Sequence, residues 1–309
     1  VFLYPGQGEL QVGYAQDVYE KSKSAREVFD LDPNLRDLCF RGPKEELNNP
    51  YNNQAVNFLA LMALSAALAE ADIKPQALAG QSLGEYAALS FAGSFSIADA
   101  IPMLRQRAQI MTDQIPAHSE MCVILGVDTK IVEKHCVNAS SSNEICSIGT
   151  YATRSTHVIT GSTQAVERCA KLCRDSGAKV IPVKVARAYH SPLARQARDD
   201  FRKVLQHFPI TQPLLPVYYN HDGITECNDI RKMLVEQFVL PVQLVKMINT
   251  MLNDGLKNFV RIGPGGFFGD SVRNIAHERG INVKLYAIEN YSDIQKLGEQ
   301  LKSPEINND

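Results

Sequence analysis

Ala77-Leu78-Ala79-Gly80-Gln81-Ser82-Leu83-Gly84 joins a short apolar run to a G-x-S-x-G pentapeptide. That order reads as strand, tight turn, helix. Glycine lacks Cβ and lets the backbone turn sharply enough to hold the serine hydroxyl out at the end of a sheet. The helix it predicts, residues 83–89, aims its free N–H groups and the positive end of its dipole at whatever Ser82 attacks. A surface loop with two turn glycines satisfies the same five residues, so the decision rests on what surrounds them.

Outward from this segment, strand candidates at 1–4, 77–79, 215–218, 258–262 and 283–287 alternate with helical stretches. Such alternation predicts a mostly parallel sheet covered by helices on both faces. Residues 121–185 have a different rhythm: strand 121–127, helix 130–137, strands 144–148 and 157–159, helix 163–176, strand 179–185. This is the β-α-β-β-α-β order of a ferredoxin-like module. The expected fold is therefore α/β, an α/β-hydrolase-like core with a parallel sheet (1–117 and 187–309) interrupted by a ferredoxin-like small subdomain (118–186), with polar turns at 113–118 and 186–188 as boundaries.

A chain of 309 residues, 45% hydrophobic and 21% charged, has the composition of a globular enzyme large enough for a core plus an insertion, and not that of a disordered chain. A net charge of −2 gives no general attraction to nucleic acid or to an anionic membrane. The most apolar stretch, 55–69, is too short to span a bilayer and carries Asn57 and Ser65, so it reads as a buried helix. Val1-Phe2-Leu3-Tyr4 followed by Pro5-Gly6 lacks the layout of a signal peptide, and a cytoplasmic location is expected. The seven cysteines include no C-x-x-C pair, and although Cys169 and Cys173 have helical spacing, no histidine pair accompanies them. They are read as reduced thiols in small core positions, with no metal site expected.

A serine hydroxyl needs a base to act as a nucleophile. Of the seven histidines, His190 follows the last strand of the inserted module, where the chain re-enters the core; it either faces a cleft there or lies on the surface. Two glycine-rich turns end core strands, Pro5-Gly6-Gln7-Gly8 and Gly263-Pro264-Gly265-Gly266. They are turn punctuation, or they bring backbone N–H groups to a ligand, in which case those of Gln7 and Leu83 would form an oxyanion hole. Neither has the Gly-Lys-Ser/Thr ending of a P-loop. Finally, Ser96 caps a helix through Met111, with Asp99 in the capping-box position. Arg107 shares that helix's apolar stripe with Leu104, Ala108 and Met111, while Arg105 points roughly 160 to 200° away. An arginine turned inward needs an anion: a protein carboxylate in a structural ion pair, or a ligand carboxylate held by two N–H groups.

Read in order, these pieces resemble one family. Pro5-Gly6-Gln7-Gly8, Asn53-Gln54-Ala55, Gly80-Gln81-Ser82-Leu83-Gly84-Glu85-Tyr86, Arg107-Ala108-Gln109-Ile110-Met111, Ala188-Tyr189-His190-Ser191, Gln237-Phe238-Val239-Leu240-Pro241-Val242 (as a helix entry) and Ile262-Gly263-Pro264-Gly265 are similar to the malonyl-CoA:acyl carrier protein transacylases, over essentially the whole chain. The resemblance implies ping-pong acyl transfer: Ser82 as nucleophile, His190 as base oriented by the main-chain carbonyl of Gln237, Gln7 and Leu83 as oxyanion donors, and Arg107 on the malonyl carboxylate. Gln81, Met111 and Tyr189 would line the acyl pocket, with the bulk of Tyr189 excluding branched acyl units. It further implies malonyl-CoA as substrate with no bound cofactor, an acyl carrier protein as partner, neither nucleic acid nor membrane, and a monomer. Lys184 and Arg187 are candidates for docking an acidic carrier protein.

The sequence departs from the family's pattern at three places. Gln81 stands where histidine is usual, Leu10 where a second glutamine is common, and Thr150-Tyr151-Ala152-Thr153-Arg154-Ser155 where Asn-Tyr-Asn-Ser-Pro-Gly is usual. Both fatty-acid and polyketide synthesis fit such drift. A hydrolase clearing stalled acyl groups from carrier proteins would use the same Ser82 and His190, and a non-catalytic carrier-binding module is the reading from another class.

Overall fold

Ten strands, several of them apolar runs stopped by glycine or proline, form in the computed structural model, which describes residues 1–183 and 187–302. Along the chain these are β1 (Phe2–Tyr4), β2 (Leu78–Gly80), β3 (Ser119–Leu125), β4 (Cys146–Tyr151), β5 (Thr156–Ser162), β6 (Lys179–Pro182), β7 (Val217–Tyr218), β8 (Val242–Gln243), β9 (Asn258–Ile262) and β10 (Lys284–Ile288). Lys184, part of the expected last strand of the small module and the 186–188 boundary turn fall wholly or partly outside the described residues.

One sheet has the order β10-β9-β1-β2-β7, with every pair parallel. From β1 the chain first builds towards β7, then returns to the other side of β1 to add β9 and β10. Neighbouring parallel strands leave a crevice outside their carboxyl ends where the order reverses. The Pro5–Gly8 turn follows β1, the serine turn follows β2 and the Gly263–Gly266 turn follows β9, so all three open on one edge. The apolar stretch at 55–69 belongs to the helix Pro50–Glu70, started by Pro50 at its first turn and capped by Asn49, and it is buried along most of its length.

The second sheet has the order β6-β3-β5-β4-β8. Its first four strands are antiparallel, and the helices Thr129–Ala139 and Thr163–Asp175 pack with it around an apolar core of their own. This is the ferredoxin-like arrangement expected of the sequence. The fifth strand was not expected: β8 comes from the C-terminal half and pairs parallel to Thr150 and Tyr151. Residues 237–242 break the chain between two helices: they leave the helix Ile230–Glu236 at Gln237, turn through residues 237–240 and lead by way of β8 into the helix Leu244–Asn253. The reason is Pro241, which has no N–H to give a helix and pushes the residue before it out of helical geometry. The helix carrying Arg107 spans Ile97–Gln114, so the first boundary turn starts after position 113.

All seven cysteines are free. The sulfurs of Cys136, Cys146 and Cys169 lie within 4.8 Å of one another, with contacts of 3.7 and 3.8 Å. Two helices and a strand assemble this cluster, which is why linear spacing shows no sign of it. Among the described residues, no helix is long and apolar enough to cross a membrane.

Candidate active site

The turn after β2 is built on close backbone approach. A Cβ on Gly80 would lie 2.1 Å from the Gly84 carbonyl, and one on Gly84 would lie 2.1 Å from the Tyr4 carbonyl oxygen. Both motif glycines are thus required by the way β2, the turn and the end of β1 are pressed together. Ser82 between them has φ 52° and ψ −108°, a conformation that costs a residue with a side chain on the order of 1–3 kcal/mol. Asn220, two residues beyond β7, offsets it: its Oδ1 accepts from the Ser82 N–H at 2.6 Å and its Nδ2 donates to the Gly80 carbonyl. The N–H of Gly84 goes to the Gln81 carbonyl and that of Glu85 to the Ser82 carbonyl. Leu83, first residue of the helix Leu83–Phe91, has no intrahelical acceptor for its own N–H.

His190 is also held at positive φ, 55°, and is buried. Its Nε2 lies 2.9 Å from Ser82 Oγ, and its Nδ1 lies 2.7 Å from the main-chain oxygen of Gln237. That carbonyl is available because the helix Ile230–Glu236 ends there, leaving its last carbonyls without intrahelical donors. With Nδ1–H donating to Gln237, Nε2 is left as the acceptor for the serine proton. Burial, and then the nearby charge of Arg107, hold the imidazole down at about 4, so it is a neutral base at physiological pH.

Arg107 is 1% exposed, as its place on the apolar stripe implies, and Arg105 turns outward to an ion pair with Asp32. Its direct partners among the described residues are not carboxylates. Nη1 donates to Gln54 Oε1 at 2.5 Å and Nη2 to Gln237 Oε1 at 2.9 Å, both neutral amides, while the buried Nε has no partner among the described residues. The rings of Tyr86 and Phe238 lie 5.1 and 5.4 Å from the guanidinium carbon and give weak cation–π support. A buried cation whose direct contacts among the described residues are amides and rings lacks the adjacent anion that offsets the several kcal/mol of its desolvation. Among the described residues, no direct ion pair with a protein carboxylate is made by Arg107.

These groups meet at a cavity of about 830 Å³ between the two sheets. Gln7, Gln81, Ser82, Arg107, Met111, Tyr189 and His190 all line it, and Met121, Val123 and Val158 supply an apolar wall from the small sheet. Leu83 lies buried beneath the serine. Gln54 Nε2 reaches Met111 Sδ at 3.6 Å, which ties the arginine's amide partner to the pocket wall. Tyr189 is fixed through its carbonyl, which accepts from Thr160 Oγ1 at 2.9 Å. Arg187 instead spends a guanidinium N–H on the Ile115 carbonyl.

Sequence reasoning missed Asn220, Glu85 and the side chain of Gln237. Glu85 is 1% exposed; it accepts from the Asn220 N–H at 2.8 Å and from Gln237 Nε2 at 2.5 Å. The signal for it was present, a lone acid on an otherwise apolar helix. Asn220 carried no local signal beyond standing near a strand's end.

A family model described as an acyl transferase domain matches residues 1–268. The malonyl CoA-acyl carrier protein transacylase of Bacillus subtilis (strain 168) is 31% identical over 99% of this chain and 98% of its own. An acyl carrier protein S-malonyltransferase from Vibrio cholerae superposes with a TM-score of 0.90 at 27% identity, over 96% of this chain and 98% of that one. A malonyl-transacylase solved in complex with a type II PKS acyl-carrier protein gives a TM-score of 0.90 at 27% identity, over 97% of this chain and 98% of that one.

Proposed function

The chain belongs to the acyl transferase domain family, and from that membership we propose that it moves a malonyl group from coenzyme A to the phosphopantetheine thiol of an acyl carrier protein, through an ester on Ser82. The observation that carries this reading is the buried Arg107, facing the same cavity as the Ser82–His190 pair without a carboxylate of its own.

Ser82 Oγ attacks the thioester carbonyl as His190 Nε2 takes its proton. The negative charge that develops on the carbonyl oxygen is met by the N–H groups of Leu83 and Gln7. Collapse breaks the C–S bond, and the coenzyme A sulfur leaves with the proton from His190. In the second half the pantetheine thiol gives its proton to His190 and attacks the ester, and Ser82 recovers the proton as it departs. Arg107 holds the distal carboxylate throughout. A hydrolase for uncharged acyl chains gains nothing from a buried cation, which favours transfer of malonyl units. The residues need no bound cofactor for these steps. Residues 1–117 with 187–309 act as the catalytic core and 118–186 as the subdomain that walls the pocket, in a monomer. Seven free thiols agree with a cytoplasmic setting.

The test is intact-mass spectrometry after mixing with malonyl-CoA. A malonyl adduct should form, persist in water, and transfer when a phosphopantetheinylated carrier protein is added. Rapid loss to water alone would replace this reading with the hydrolase.

Two further results are expected. His190 must be neutral to accept a proton and is held at about 4, so kcat/KM should stay high as pH falls through the ordinary histidine range and collapse only near that value. A carboxylate on Arg107 cancels the second cause of that depression, so the acid limb of kcat should lie at higher pH than that of kcat/KM. Coincident limbs near the ordinary histidine value of about 6.5 would contradict both points. Separately, Tyr189→Val opens the pocket beside the base, and the preference for malonyl-CoA over methylmalonyl-CoA should fall by roughly 10-fold or more. An unchanged ratio in competition assays would remove Tyr189 from the selectivity wall.

A further inference from the structure

Glu85 has no part in the steps above, yet it sits at the centre of the contacts that hold the reacting groups. Asn220, whose N–H it accepts, spans Gln81 from the Gly80 carbonyl to the Ser82 N–H; Gln237, whose amide N–H it accepts, supplies the carbonyl that orients His190 and the side-chain oxygen that meets Arg107. We infer that Glu85 is the positioning residue of this site, fixing the Gln237 amide and the Ser82 turn in one arrangement and giving Arg107 a counter-charge one amide away. The inference rests on the reading that Ser82, His190 and Arg107 form the transfer site.

Donor and acceptor accounting carries it. A guanidinium only donates and an ionised carboxylate only accepts. The Gln237 amide between them can satisfy both in one orientation alone: oxygen towards Arg107 at 2.9 Å, nitrogen towards Glu85 at 2.5 Å and the Ser82 carbonyl at 3.1 Å. A direct Glu85–Arg107 pair would occupy the guanidinium and compete with a substrate carboxylate. Interposing the amide leaves Arg107 its nearby negative charge without that competition.

The same arrangement links Glu85 to substrate charge. The groups that act on it or feel it are Arg107 from the helix Ile97–Gln114, Tyr86 on its own helix, and Tyr219 and Cys227 beyond β7. Burial pushes both tyrosines and the thiol up, so Arg107 alone among these is charged at neutral pH. Burial likewise raises the Glu85 carboxyl to about 7, against its hydrogen bonds and the attraction of Arg107. A malonyl carboxylate on Arg107 weakens that attraction, which raises Glu85 further, so that loading near pH 7 takes up part of a proton.

Three measurements decide this. Glu85→Gln sets an N–H against one of the two donors, Gln237 Nε2 or the Asn220 N–H, and should lower kcat/KM for malonyl transfer roughly 10- to 100-fold, and remove an inflection near pH 7 that lies above the His190 limb. Exchanging the two groups, Glu85→Gln with Gln237→Glu, restores a donor–acceptor pair while placing a carboxylate directly on Arg107. It should recover acylation by acetyl-CoA relative to Glu85→Gln but not acylation by malonyl-CoA. In wild type, single-turnover loading should take up protons with malonyl-CoA and not with acetyl-CoA, a readout independent of whether either variant folds. Glu85→Gln within twofold of wild type with an unchanged pH profile, no recovery in a folded exchange variant, or equal proton uptake from the two thioesters would each overturn the inference. Absence of any wild-type adduct would instead overturn the transfer reading itself.

Discussion

Ser82→Ala should fold like wild type, form no malonyl adduct, and lose carrier-protein malonylation by a factor on the order of 10⁴–10⁶. The fold should survive because the turn is held by main-chain groups. Asn220 bonds to the Ser82 N–H and the Gly80 carbonyl, and the Gln237 amide bonds to the Ser82 carbonyl, none of which needs the hydroxyl. The close packing of Gly80 against Gly84 is likewise untouched. Alanine meets the same conformational cost at φ 52° as serine, so the melting temperature should move little. What disappears is the atom that His190 Nε2 is placed to deprotonate, at 2.9 Å. Direct attack of one thiol on the other's thioester would remain, without a covalent relay. Intact-mass spectra and a carrier-protein malonylation assay check this; an adduct that persists in a folded Ser82→Ala protein would move the acylation site elsewhere.

Much of the fold was legible because its signals are local. The apolar runs at Phe2–Tyr4, Leu78–Gly80 and Asn258–Ile262 each end in glycine or proline, and the helix–strand rhythm of 121–185 repeats over short distances. β8 was not legible. Two residues, Val242 and Gln243, become a strand only because Thr150 and Tyr151 present an open sheet edge from a distant part of the chain. Pro241 marked the end of helical structure but not what would follow it.

The site divides along the same line. The serine turn is written in five contiguous residues, and Arg107 betrays itself by standing on an apolar stripe. The contacts that hold them are made of amides, Asn220, Gln54 and the Gln237 side chain, which carry no charge, belong to no periodic pattern and meet only across the fold. An amide's worth depends on the orientation of its two ends, and that orientation is set by neighbours far away in sequence. The cysteine cluster was hidden for the same reason, since Cys136, Cys146 and Cys169 lie on three different elements.

Arg107→Ala tests the chemical selectivity of the pocket. A buried charge deprived of its charged partner costs about 2–5 kcal/mol, which corresponds to roughly 30- to 5,000-fold in kcat/KM for malonyl-CoA. Acetyl-CoA has no distal carboxylate to lose, so its transfer should change by less than about tenfold, and the preference between the two thioesters should shrink accordingly. Stability should run the other way. Arg107 is 1% exposed, bonded among the described residues to two neutral amides and flanked by two rings. Its removal relieves a buried charge that has no direct ionic partner among the described residues while leaving two amide oxygens short of donors, so the melting temperature should hold or rise. Arg107→Lys keeps the charge without the two-pronged fork and should recover only part of the malonyl activity. Equal losses on malonyl-CoA and acetyl-CoA, accompanied by a fall in melting temperature, would make Arg107 a structural anchor and leave the carboxylate without its receptor. A loss confined to malonyl-CoA in a protein that is as stable or more so means that the fold carries this cation at a cost, and that the substrate supplies the charge which offsets it.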